Sequence, residues 1–183
     1  TNTGGGAITL VNTAAPLTIT GISQTGSGAV SINNTGAIDI TGSLAAGTGN
    51  AINLTSTGTI TDNGAGLVSG GTLTTISTGG TILDGANAVT GFTATNATSG
   101  DITLINTAAT LTVGGMTQSS GAGNATVTNT GNLTTTGAIA TRSGNVSLTT
   151  VSPDANERIL TVGIAGIQTG VGAVSGGAIT LTS

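Results

Sequence analysis

The phrase GGAITLVNTAA begins at Gly5, SGDITLINTAA at Ser99, and GGAITLTS at Gly176. A phrase that recurs through a chain constrains its fold more than any single residue, because repeated units must bury their apolar sides against one another. The pattern is a glycine, a small or polar residue, then apolar, polar, apolar. Its first apolar positions are Ile8, Val30, Ile52, Leu73, Ile102, Ala125, Val146 and Ile179, at steps of 22, 22, 21, 29, 23, 21 and 33 residues. A second phrase follows at Leu17, Ile38, Ile60, Ile82, Leu111, Leu133 and Leu160. A third, looser one follows at Ile22, Leu44, Leu67, Phe92, Met116, Ile139 and Ile164. A longer period overlies these, since residues 5–58 recur at 99–152 with a shift of 94 or 95.

Each unit of about 22 residues therefore carries three short alternating runs rich in β-branched residues and bounded by Gly, Thr, Asn and Ser. Such runs read as strands. Gly and Thr are poor helix formers, and no apolar stripe recurs at helical spacing. The expected fold is all-β: a right-handed parallel β-helix of three short strands per coil and about eight coils, one solenoid over residues 1–183. A left-handed hexapeptide helix would need a period of six within each coil, and there is none. The long steps predict inserted loops near 83–99 and 152–158.

A polar residue followed by Thr closes the first strand of most units: Asn12–Thr13, Asn34–Thr35, Ser56–Thr57, Ser77–Thr78, Asn106–Thr107 and Asn129–Thr130. In a solenoid these stack into one corner ladder, with Asn and Ser bonding within a turn and from coil to coil.

Composition narrows the function classes. The 36 % hydrophobic content and net charge of −4 oppose disorder. Arg142 and Arg158 are the only basic residues, too few to bind nucleic acid. No apolar run approaches a helical membrane span. There is no Cys and no His, which removes thiol, triad and typical zinc chemistry. The chain opens in mid-pattern and shows no cap at either end, so it reads as a slice of a longer array.

The phrases GGAITLVNTAA, GAIDITGSLAA and GNAINLTSTGTI, with their Gly/Thr/Asn spacers, resemble the β-strand-repeat regions of large bacterial secreted surface proteins of the filamentous-haemagglutinin-like adhesin and autotransporter passenger type. The resemblance covers essentially the whole chain. It implies an extracellular or cell-surface shaft without cofactor or catalytic residues, a structural segment of a fibre, stalk or surface layer. Its partners would be further copies of itself or neighbouring repeats end to end. The alternative it implies is an adhesin module that binds a glycan or host protein through its inserted loops.

For that alternative the SPDANER stretch matters, because Asp154, Asn156, Glu157 and Arg158 bring charge to a chain with 4 % charged residues. Asp62 and Asp84 lie one coil apart, which makes them a candidate Ca²⁺ pair or a glycosidase carboxylate pair. Set against this, TDNG and LDGAN are ordinary turn signals, and no aromatic platform for a sugar is present. The Gly clusters lack the Lys-Ser/Thr of a phosphate loop. Rows of outward Thr also suit ice binding, although the sequence does not place a Thr-x-Thr pair in every coil.

Overall fold

In a computed structural model the described residues are 1–152, 158–170 and 175–183. They form a parallel β-solenoid of about seven turns, one fewer than expected, with coils spaced near 22 residues. Among the described residues seventeen strands join one sheet, and every strand pairing is parallel. The alternation seen in the sequence explains the elements. Inward residues such as Ile32, Ile52, Leu54 and Leu104 are buried, and the polar residues between them face out. Each strand finds its partners one coil below and one coil above, so the apolar core is a set of stacked columns.

Three faces can be followed. Face A carries β1 (Ile8–Asn12), β3 (Val30–Asn34) and β5 (Ile52–Ser56), paired Ile8↔Val30↔Ile52 and then Leu73 of β7 (Leu67–Ser77). Face B carries the first halves of β2 (Leu17–Gln24) and β4 (Ile38–Ala46), then β6 (Ile60–Thr61). Face C carries Ile22, Leu44 and Val68.

Above Leu73 the columns depart from the sequence phrases. Leu73 pairs with Phe92, only 19 residues on, and not with Ile102. Ile60 pairs with Thr81, and Thr81 with Ile102 of β9 (Ile102–Asn106). The first phrase of the lower half therefore lies on face A, and the same phrase in the upper half lies on face B. There it continues through β11 (Ala125–Thr130), β14 (Val146–Val151) and β17 (Ile179–Thr182). The second phrase moves likewise from face B to face C, where Leu111 of β10 (Thr110–Gln118) pairs with Leu133 of β12 (Asn132–Thr135) and then Leu160 of β15 (Leu160–Val162). The third phrase moves to face A, where Met116 pairs with Ile139 of β13 (Ile139–Thr141) and the column ends at Ile167 of β16 (Ile167–Thr169). The 94-residue repeat thus spans four coils plus one face.

This corrects the expected insertion at 83–99. The 29-residue step from Leu73 to Ile102 is one coil and one face, and Thr81–Asn96 is a single 16-residue strand, β8, that runs from face B around to face A. Its LDGAN segment is part of the strand although its residues favour turns. Most of the second expected loop, 153–157, lies outside the described residues.

One corner keeps its identity through the change of phase. Gly58, Gly79, Gly100, Gly123, Gly144 and Gly177 stack just before face B. A Cβ on Gly123 would sit 2.1 Å from the Gly100 oxygen, and one on Gly144 would sit 1.8 Å from the Gly123 oxygen. The coils touch there backbone to backbone, which only glycine permits.

Candidate functional site

The expected corner ladder is two ladders on two corners, separated by the change of phase. One follows face A through Asn12, Asn34, Ser56, Ser77, Asn96 and Gln118. Asn34 donates to the carbonyls of Ala14 and Ala37, both at 2.8 Å, and Ser56 donates to Gly36 at 2.7 Å and Thr59 at 3.1 Å. The Thr neighbours Thr13, Thr35 and Thr57 are exposed, and Thr57 accepts from the Gly36 amide at 2.9 Å. Thr78 is half-buried in the same turn.

The second ladder follows face B through Asn87, Asn106, Asn129 and Thr150. Asn106 accepts from the Val89 amide at 2.9 Å and donates to Val89 O at 3.0 Å and to Asn129 Oδ1 at 2.9 Å. Asn129 donates to Ala108 O and Asn132 O. Thr107 donates to Asn87 O at 3.1 Å, and Thr130 is half-buried.

At the foot of the second ladder lies Asp62, fully buried. It is the residue after Thr61, and Thr61 pairs with Asp39 below and Ile82 above. The positions corresponding to Asp62 in the adjoining coils are therefore Ile40 and Leu83, both core residues. Its Oδ1 accepts from the amides of Asp84 at 2.9 Å, Gly85 at 3.1 Å and Gly64 at 3.4 Å. Its Oδ2 accepts from Gly85 at 3.1 Å and from Asn87 Nδ2 at 2.9 Å. Burial pushes its pKa up, partly offset by the hydrogen bonds from Asn87, Gly85 and Gly64, while the neighbouring Asp84 side chain raises it further.

These donors occupy the lone pairs a cation would need. Asp62 is the anion of a backbone nest, and Asp84 beside it is exposed. Among the described residues no three His, Cys, Asp or Glu side chains gather around a common point. Asp39 instead accepts from Thr61 Oγ1 at 3.2 Å and from Asn63 Nδ2, and Asp101 accepts from the Asn124 amide at 2.8 Å. The geometry gives Asp62 a structural task, to which Asp84 contributes its backbone amide. Of the four candidate residues of the charged loop only Arg158 is described; Asp154, Asn156 and Glu157 lie outside the described residues.

Two open grooves adjoin where the 19-residue coil tightens the stack. One, of about 280 Å³, is lined by Thr72, Thr90, Thr93, Thr112 and neighbouring glycines. The other, of about 380 Å³, is lined by Ala46, Ser69, Ala88, Thr90 and Thr110 among others. Their walls are hydroxyl, methyl and backbone, with Phe92 also lining the first and no titratable side chain in either. They have the means to touch a neutral surface but none to move a proton. Comparison with family models, with curated proteins and with solved structures finds no match for this chain.

Proposed function

We propose that this chain is a structural segment of an extracellular bacterial fibre, stalk or surface layer, similar to the shafts of large secreted surface proteins. The observation that supports it is the unbroken ladder. All strands belong to one parallel sheet, with each coil held by its neighbours and the core running the length of the stack. Stability of this kind grows by adding coils. A further coil joins such a stack by the same parallel pairing, whether it comes from neighbouring repeats or from another copy. In this reading the chain has no catalytic role.

Electron imaging of the native material tests the proposal. Filaments or a surface layer with an axial repeat of about 4.8 Å are the expected result. Isolated particles, attached neither to each other nor to a cell surface, would overturn it.

A further inference from the structure

Face B of the upper half carries an array that the sequence alone does not show. On face B, β9, β11, β14 and β17 stack in continuous register without a bulge. Their outward residues form two columns. The first is Thr103, Thr126, Ser147 and Thr180, and the second is Ile105, Thr128, Thr149 and Thr182. Seven of these eight positions carry a hydroxyl, and none of the four strands carries a charge. The equivalent rows of the lower half, on face A, are mixed: Thr9 with Val11, Ser31 with Asn33, Asn53 with Thr55, and Thr74 with Ile76. Only the upper copy of the repeat carries the regular array.

The hydroxyls of the array are also unspent. Thr57, Thr61, Thr98, Thr107 and Thr141, by contrast, form hydrogen bonds within the protein. Among the described residues Thr103, Thr126, Thr128, Ser147, Thr149, Thr180 and Thr182 form none through their side chains, and all are partly or fully exposed. Strand geometry spaces these groups about 4.8 Å apart between coils and about 6.7 Å apart along a strand. The Thr side chains are stiff at χ1, so the hydroxyls are held in place before any ligand arrives.

A ligand that uses this surface must itself repeat in two dimensions, must be uncharged, and must offer hydrogen bonds at both spacings. Two kinds of surface meet those terms. A crystalline polysaccharide is bound by stacking sugar rings on aromatic side chains, and the only aromatic here, Phe92, is fully buried. A crystal face of ice needs no aromatic platform. Its oxygens repeat at distances of the same order in both directions, and the Thr methyl groups suit the gaps between them. We propose that the outer surface of β9, β11, β14 and β17 binds ice. This function is separate from the structural role of the coil stack and does not depend on it.

The test is uptake of the full chain into slowly grown ice, with crystal shape followed by microscopy. The chain should enter the ice and facet the crystals. Thr126→Tyr/Thr128→Tyr places bulk in the middle of the array and should abolish uptake. Thr149→Lys, a smaller disturbance of its neighbours, should do the same by adding a charge. Thr74→Tyr on face A should enter the ice like the parent. Circular dichroism and a thermal melt establish that each variant is folded. A parent chain excluded from ice like an ordinary solute overturns the proposal. So does a folded array variant that enters as well as the parent, and so does retention on crystalline chitin or cellulose in place of ice.

Discussion

Asp62 occupies a core position where the coil below has Ile40 and the coil above has Leu83. A lone buried charge is costly unless its lone pairs are filled. Here amides of the next coil fill them, and an acceptor-only group forces Asn87 to turn its amide nitrogen down and its oxygen toward the Val68 amide, 2.8 Å away. Asp62→Asn would face a donor with a donor, and flipping Asn87 would only orphan Val68. We expect the variant to lose about 1–3 kcal/mol in a denaturant melt. The pH dependence follows from the raised pKa. The folded state holds this proton more tightly than the unfolded chain does. The contribution is therefore full below the ordinary carboxylate range and is lost as pH rises through the folded value. The gap in stability between parent and Asp62→Asn should widen on acidification from neutral pH; a gap that narrows would mean that the donors around Asp62 favour the carboxylate more than burial disfavours it. Glycines give a second contrast at this scale. A Cβ at Gly144 meets the Gly123 oxygen at 1.8 Å, whereas at Gly49, with φ +85°, it meets nothing within 4 Å. Gly49→Ala should cost about 1–2 kcal/mol from backbone conformation alone. Gly144→Ala must separate two coils and should lower the melting temperature further.

The strands were legible in the sequence because every face of a solenoid imposes the same rule of apolar inside and small polar outside. Ile8, Val30, Ile52 and Ile102 were all correctly read as strand openings for that reason. The same uniformity hid their placement. A phrase that satisfies face A satisfies face B equally, so repetition of a phrase does not fix its face. Only the residues spent per coil fix it, and the 29-residue step was the available sign. The LDGAN segment misled for another reason. Its turn-like amides are claimed by a carboxylate from a different coil, which holds β8 extended through residues that would otherwise turn. The Asn corner was visible as a motif, but its division between two corners was not. In the upper ladder Asn106 serves both the amide and the carbonyl of Val89. Asn106→Ala leaves both buried groups without that partner and should cost about 2–3 kcal/mol, read in urea. Thr107→Ala removes a single partly buried bond beside it and should cost less than half as much. Equal losses would mean that the ladder contributes little.

At the scale of the whole molecule, the chain is two copies of one repeat joined a third of a turn out of phase, with Asp62 at the joint. Removing residues 73–101 would connect Thr72 to Ile102 and bring the copies into phase. Ile102 would then stack on Ile52, Asn106 on Ser56 and Leu111 on Ile60, and the two Asn corners would become one. Every column would remain apolar except at Asp62, which would lose the amides of Asp84 and Gly85 and the side chain of Asn87. The sign of one substitution should therefore reverse with the phase. In the intact chain Asp62→Ile orphans buried donors and destabilises. In the shortened chain it removes an uncompensated charge and should stabilise by about 3–5 kcal/mol. Thermal and urea melts of the four proteins form a double-mutant cycle that measures the coupling. A shortened chain carrying Asp62→Ile that shows one cooperative β-sheet transition would mean that phase is set by residue count and by Asp62, and that the joint is not needed for folding. Failure of that variant to fold, with the intact parent folded, would mean instead that the short coil nucleates the stack. The two copies would then depend on the joint as well as on each other.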